Sequence, residues 1–334
     1  MQQTRIDSGF NKDKYNLYLI AYHINNNDKI SLLSIVLQNL ILECISSFMC
    51  KRNDTIYLHN TCIWDSRFRN FSKLTHVTLP DNLSFIGGNG FRECTGLIHI
   101  TLPASIISIG HYAFYGCTRL ASISIPNGVI SIGKKAFMGC SKLTTISIPG
   151  SIEWIENNMF NGCVELTNVT MLHGVTGIGN EAFIGCSSLT TIDLPDSITT
   201  IGNRAFCECK KLSEITIPNS VYFIGEGAFW TCSSITNIIL PNNIVVIENA
   251  TFFNCTSLIE IIIPDSVTDI GINAFLGCIS LTEIIIPDGV TSIGNYAFSG
   301  CTSLINVELN EVLFIKYPHI ICIFPINAEI ILRM

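Results

Sequence analysis

Ten cysteines, at positions 94, 117, 140, 163, 186, 209, 232, 255, 278 and 301, are separated by nine intervals of 23 residues with no insertion or deletion. Independent globular domains do not produce such a spacing, whereas a stack of equivalent coils does. The period therefore overrides the roughly two or three domains that the chain's length alone would suggest. A degenerate coil opens the array near residue 63, with Phe68 in the repeat's Phe position and Phe71 in place of its Cys. Residues 1–62 then read as an N-terminal region, 63–311 as the solenoid and 312–334 as a C-terminal capping segment.

One coil reads Ile-Gly-x-x-Ala-Phe-x-Gly-Cys-x-x-Leu-Thr-x-Ile-x-Ile-Pro-x-Ser-Val-x-x. The leading Ile recurs from Ile86 to Ile293 and the Phe from Phe91 to Phe298. Leu-x-x-Ile-x-Ile, as in Leu281, Ile284 and Ile286, is β-branched and alternates with polar residues, which predicts one short strand per coil with one buried face. Pro at 80, 103, 126, 149, 195, 218, 241, 264 and 287 has no N–H for a ladder and ends that strand. Ala-Phe-x-Gly-Cys-x-x-Leu reads as a short helical turn whose Phe and Leu point inward, with the Gly permitting a tight turn. No coil can bury these apolar residues alone, so stacking must do it. The expected fold is an α/β repeat solenoid with one parallel strand per 23-residue coil, capped at both ends.

In-register cysteines in stacked coils would lie about 5 Å apart with parallel Cβ vectors, a poor disulfide geometry. They read as buried small apolar residues. Cys207 stands outside that register and is the candidate for an exposed, reactive thiol. Residues 30–50 carry Leu33, Val36, Leu37, Leu40, Cys44 and Phe48 at helical spacing, together with Gln38, Asn39 and Glu43. An amphipathic capping helix accounts for them better than a membrane span, and a partner-docking helix is a further use of the same segment. The first thirty residues hold no clear secretory signal. Sequons such as Asn53 and Asn254 matter only if the chain is exported.

The segment Ile-Gly-Lys-Lys-Ala-Phe-Met-Gly-Cys-Ser-Lys-Leu-Thr-Thr-Ile-Ser-Ile-Pro at 132–149 resembles the BspA-like class of leucine-rich repeats, and so do its counterparts across about 63–311. The resemblance implies a right-handed solenoid with a parallel sheet on one face, of the kind found in surface antigens and adhesins, and no catalytic residues. It implies placement at the cell surface, while the missing signal leaves the cytoplasm open. The chain departs from the commoner leucine-rich pattern in lacking an Asn ladder after the strand, where Ser197, Ser220 and Ser266 stand instead.

Gly128 to Lys135 nearly spells a phosphate loop, but its glycines are repeat positions and Lys135 stands where Ser or Thr would hold magnesium. The seven histidines show no metal-ligand spacing. A non-enzymatic protein without cofactor or metal follows. Charge is distributed unevenly: residues 61–150 carry eight basic and three acidic side chains, and 151–311 carry three basic and seventeen acidic ones. This argues against nucleic acid as ligand and for a protein partner with a basic segment. Solenoids bind through the outward residues of a concave strand face. Here one column runs through Glu214, Asn237, Glu260 and Glu283, and its neighbour through Asp193, Ile239, Ile262, Ile285 and Glu308. These nine are the candidate site. A plain solvated sheet in which the isoleucines only stabilise strands explains the same letters. The two function readings are an adhesin-like or surface-antigen-like binding protein and an intracellular interaction scaffold.

Overall fold

The computed structural model describes residues 56–57, 62–316, 324–326 and 328–333. The segment 30–50 lies outside them. Within them the chain is a β-solenoid whose paired strand residues run parallel and lie 23 positions apart, as Thr145 and Asn168 do, and Asn237 and Glu260. The 23-residue spacing of the sequence is thus the backbone register itself.

The predicted strand is present in almost every coil, from His76–Thr78 through Glu214–Thr216 and Glu260–Ile262 to Asn306–Asn310. Its middle residue is buried and its flanking residues face out, as period-two alternation requires. The coil at Ser122 is joined to its neighbours only by single bridges. Each coil also has a second strand that the sequence reading did not count. It is two residues long and contains the leading Ile, as in Ser108–Ile109, Trp154–Ile155 and Phe223–Ile224. One buried residue is too short a run for an alternation signal, and only the neighbouring coils make it a ladder.

The expected helical turn is not helical. In the coil at 109–116, Tyr112 and Gly116 take φ of 57° and 68°, and Lys135 and Gly139 repeat this at 59° and 74°. Left-handed residues placed between right-handed ones prevent an α-helix and turn alternate peptide units along the solenoid axis. Phe114 N–H then donates to Ala136 O, and Tyr112 and Gly116 N–H donate to Lys134 O and Met138 O. Three such bonds recur at every junction from Ser66 to Gly277, each donated by the earlier coil to the later one. The backbone of the turn is therefore a third ladder.

Inside the three ladders the phenylalanines form a continuous stack from Phe68 to Phe298, with neighbouring ring centroids 5.1–5.6 Å apart. Cysteine fills the adjacent space. All the described cysteines are free thiols, and each ladder Sγ donates to the Phe carbonyl of the preceding coil, from Cys94 to Phe68 at 2.8 Å to Cys301 to Phe275 at 3.2 Å. Cys207 corrects the sequence reading. It is only 6% exposed and burial pushes its thiol up to about 11, so it is not the accessible nucleophile expected.

An Asn ladder does exist, but beside the second strand rather than the first. Asn157, Asn180 and Asn203 accept from the N–H of Asn180, Asn203 and Glu226 through Oδ1 at 2.8–3.0 Å, and Asn249 accepts from Ile272. Asp65 and His111 fill the same slot. After the longer strand, Ser197, Ser220 and Ser266 each donate to a carbonyl of the preceding coil at 2.6–2.7 Å.

At the C-terminal end Asn310 replaces the strand-ending Pro, and the strand extends to five residues. The Asn310 side chain accepts from Val312 N–H at 2.7 Å, opening the short helix Glu311–Lys316. Glu329–Arg333 then pairs with Asn306–Asn310 at the same 23-residue offset, and the Phe324 ring stacks on Phe298 at 5.0 Å. No helix among the described residues is long and apolar enough to cross a membrane.

Candidate binding face

The longer strands present their outward residues as columns, because wherever they pair the register is 23 residues. Asn237 pairs with Glu260, and Glu283 with Asn306, which continues to Glu329. Two residues further along each strand, Ile239 pairs with Ile262, and Ile285 with Glu308 and then Ile331. The structure therefore brings seven of the nine candidates together on the last coils: Asn237, Ile239, Glu260, Ile262, Glu283, Ile285 and Glu308. Glu214 and Asp193 precede them on the same face, in the strands Glu214–Thr216 and Thr191–Asp193, which pair with each other. All are exposed except Glu308, which is half-buried where the strand Glu329–Arg333 runs beside it.

Ile239, Ile262 and Ile285 are 72%, 64% and 50% exposed. Their strand neighbours Ile238, Ile261 and Ile284 are buried in the core, so the outer three are available by register and not by disorder of the sheet. The sequence reading missed a further pair, Ile259 and Ile305, which are 50% and 57% exposed on the other side of the carboxylate column. Their signal was present one residue before Glu260 and Asn306, but it falls outside the alternating strand and was read as connection. Glu260 is thus preceded by exposed Ile259 and followed by exposed Ile262, whereas Glu283 is preceded by Thr282 and followed by exposed Ile285. Neither carboxylate has an ion-pair partner among the described residues. On adjacent strands about 4.8 Å apart their charges repel.

The N-terminal coils differ. Their outward residues on the same face are His99, Thr101, Thr145, Ser147, Asn168 and Thr170, with neither carboxylates nor isoleucines. Basic groups lie instead on the turn face, where the Arg92 guanidinium sits 4.7 Å from the Tyr115 ring and 5.5 Å from that of Tyr112, and Lys135 Nζ approaches Tyr112 at 5.6 Å. These cation–π pairs occupy the aromatic faces internally.

A family model for the BspA type leucine rich repeat region, in six copies, matches residues 61–190 and 176–305. The chain belongs to the BspA-type leucine-rich repeat family. A leucine rich cell surface protein from Faecalibacterium prausnitzii A2-165 is 32% identical with a TM-score of 0.54, over 77% of this chain and 81% of that one. A leucine-rich repeat protein from Bacteroides ovatus ATCC 8483 is 25% identical with a TM-score of 0.56, over 84% of this chain and 92% of that one. No curated protein matches at a significant level. Both solved relatives carry the repeat fold, and repeats of this family typically serve as protein-interaction scaffolds.

Proposed function

We propose that this BspA-type protein is a non-enzymatic, adhesin-like or surface-antigen-like binding protein whose last five coils capture a protein partner through the strand face. The observation that carries the reading is the exposed column Ile239, Ile262 and Ile285 beside the carboxylates of Glu260 and Glu283, which have no ion-pair partner among the described residues. Contiguous apolar surface flanked by charge marks an interaction site more often than a solvated sheet does. Such a face suits a basic, partly apolar polypeptide segment: the apolar column contributes buried area and the carboxylates contribute orientation and association rate. The resemblance to a cell surface protein supports display outside the cell.

Peptides selected from a displayed library on the wild-type chain are expected to combine Lys or Arg with apolar residues. Glu260→Lys together with Glu283→Lys should weaken their capture at least tenfold and leave thermal unfolding almost unchanged. Unaltered capture by a folded variant would return the isoleucines to a purely structural role. Surface biotinylation of intact cells that express the protein tests the location. Absence of labelling would sink display and favour the intracellular scaffold.

A further inference from the structure

We infer that the partner segment is a basic amphipathic α-helix lying along the solenoid axis across the last coils; this rests on the strand-face reading above. The face is formed by sheet, where the N–H and C=O groups of Glu260–Ile262 and Glu283–Ile285 lie in the strand plane, on the ladders to Asn237–Ile239 and Asn306–Glu308, and not out of the face. An extended peptide gains affinity by adding a strand to an open edge, and a sheet face offers it no backbone partners. A helix satisfies its own backbone and needs only side-chain contacts.

The repeat lengths point the same way. Coils recur at about 4.8 Å in a parallel ladder, and the last rings of the Phe stack are 5.6, 5.3 and 5.1 Å apart. A helix repeats one face every ~5.4 Å, within that range. Over the two intervals from Ile239 to Ile285 the mismatch is roughly 1 Å, which side-chain rotation absorbs. An extended chain repeats one face every ~6.6 Å, and over the same two intervals it slips by roughly 2–4 Å and places its side chains between coils. One apolar stripe of a helix can therefore follow Ile239, Ile262 and Ile285 while the adjoining stripe sets Lys or Arg against Glu260 and Glu283, opposite in sign to this face.

Two labelled peptides of identical Leu/Lys composition, about fourteen residues or four helical turns long, test this against the full chain by fluorescence anisotropy. One places its four Leu at i, i+4, i+7 and i+11; the other places the same four at the alternating positions i, i+2, i+4 and i+6, with Lys elsewhere in both. The helical isomer should bind at least tenfold tighter, gain helical circular dichroism on binding, and lose its advantage on the Glu260→Lys, Glu283→Lys chain. Equal or tighter binding of the alternating isomer overturns the helix while leaving the binding face in place. Equal binding of the helical isomer to wild type and variant overturns both. If neither isomer binds, the helix is overturned, and the library selection then decides the face separately.

Discussion

Each ladder cysteine combines two properties that no other small side chain joins: an apolar volume suited to the space beside the Phe stack, and a weak donor that reaches the Phe carbonyl of the preceding coil at 2.8–3.3 Å. Only the first property was legible from spacing, because a repeat places a residue on a face without orienting its Sγ–H. Burial pushes the thiols of Cys94, Cys163, Cys255 and Cys301 up to about 12, against an ordinary value of about 8.5. The sign of the pH dependence follows. Above about pH 8.5 the unfolded chain releases these protons while the folded chain retains them, so the unfolded state binds fewer protons and stability falls as pH rises towards 12. Below that range the thiols contribute no slope. Denaturant midpoints should therefore be level from pH 7 to 8 and fall steeply above about 9, and replacing Cys163 and Cys255 by Ala should flatten the fall. At pH 8 a disulfide reagent should modify the ladder thiols and Cys207 only on unfolding.

At the scale of the element, the longer strand and the Phe column were legible because each has a clear signal, β-branched alternation in one case and an invariant letter in the other. The second strand and the turn ladder were not. Their pairing belongs to backbone that alternates conformational hand, and left-handed positions are held by Tyr112, Lys135, Glu181 and Arg204 as readily as by glycine. The consequence for stability is local and two-sided. Phe229 is fully buried and stacks on Phe206 and Phe252, each at 5.6 Å. Phe229→Ala removes both contacts and leaves a cavity in a core with no other layer to close it, at a cost of about 3–5 kcal/mol. Urea titration should show the loss, and hydrogen exchange should rise in the coils on either side of 229 before it rises near residue 100. Uniform acceleration along the chain would mean that the solenoid unfolds as one unit rather than through neighbouring coils.

For the whole molecule, the turn ladder has a direction. Each of its peptide units points N–H towards the following coil and C=O towards the preceding one, so along this face the dipoles add as they do in a helix. Its positive end lies at Tyr296, Phe298 and Gly300, whose N–H groups have no acceptor among the described residues. The charge gradient runs in the complementary sense, basic over 61–150 and acidic over 151–311, and so has a structural use beside any partner. The candidate columns were legible because the register is invariant, while the number of exposed isoleucines around Glu260 was not, since Ile259 and Ile305 lie outside the alternating run. The same invariance makes the array divisible only in whole coils. Removing residues 179–201 joins Ile178 to Gly202 and preserves every column: the Phe stack closes from Phe160 to Phe206, and Asn157 meets Asn203 N–H in place of Asn180 N–H. That variant should fold cooperatively with a somewhat lower Tm. Removing only 190–201 sets the turn of one coil against the strand of the next, buries polar side chains opposite Phe rings, and leaves ladder groups unpaired. Near-ultraviolet circular dichroism and thermal melting should show a folded protein in the first case and loss of the coils after 178 in the second; equal melting of the two would refute the coil as the unit of folding.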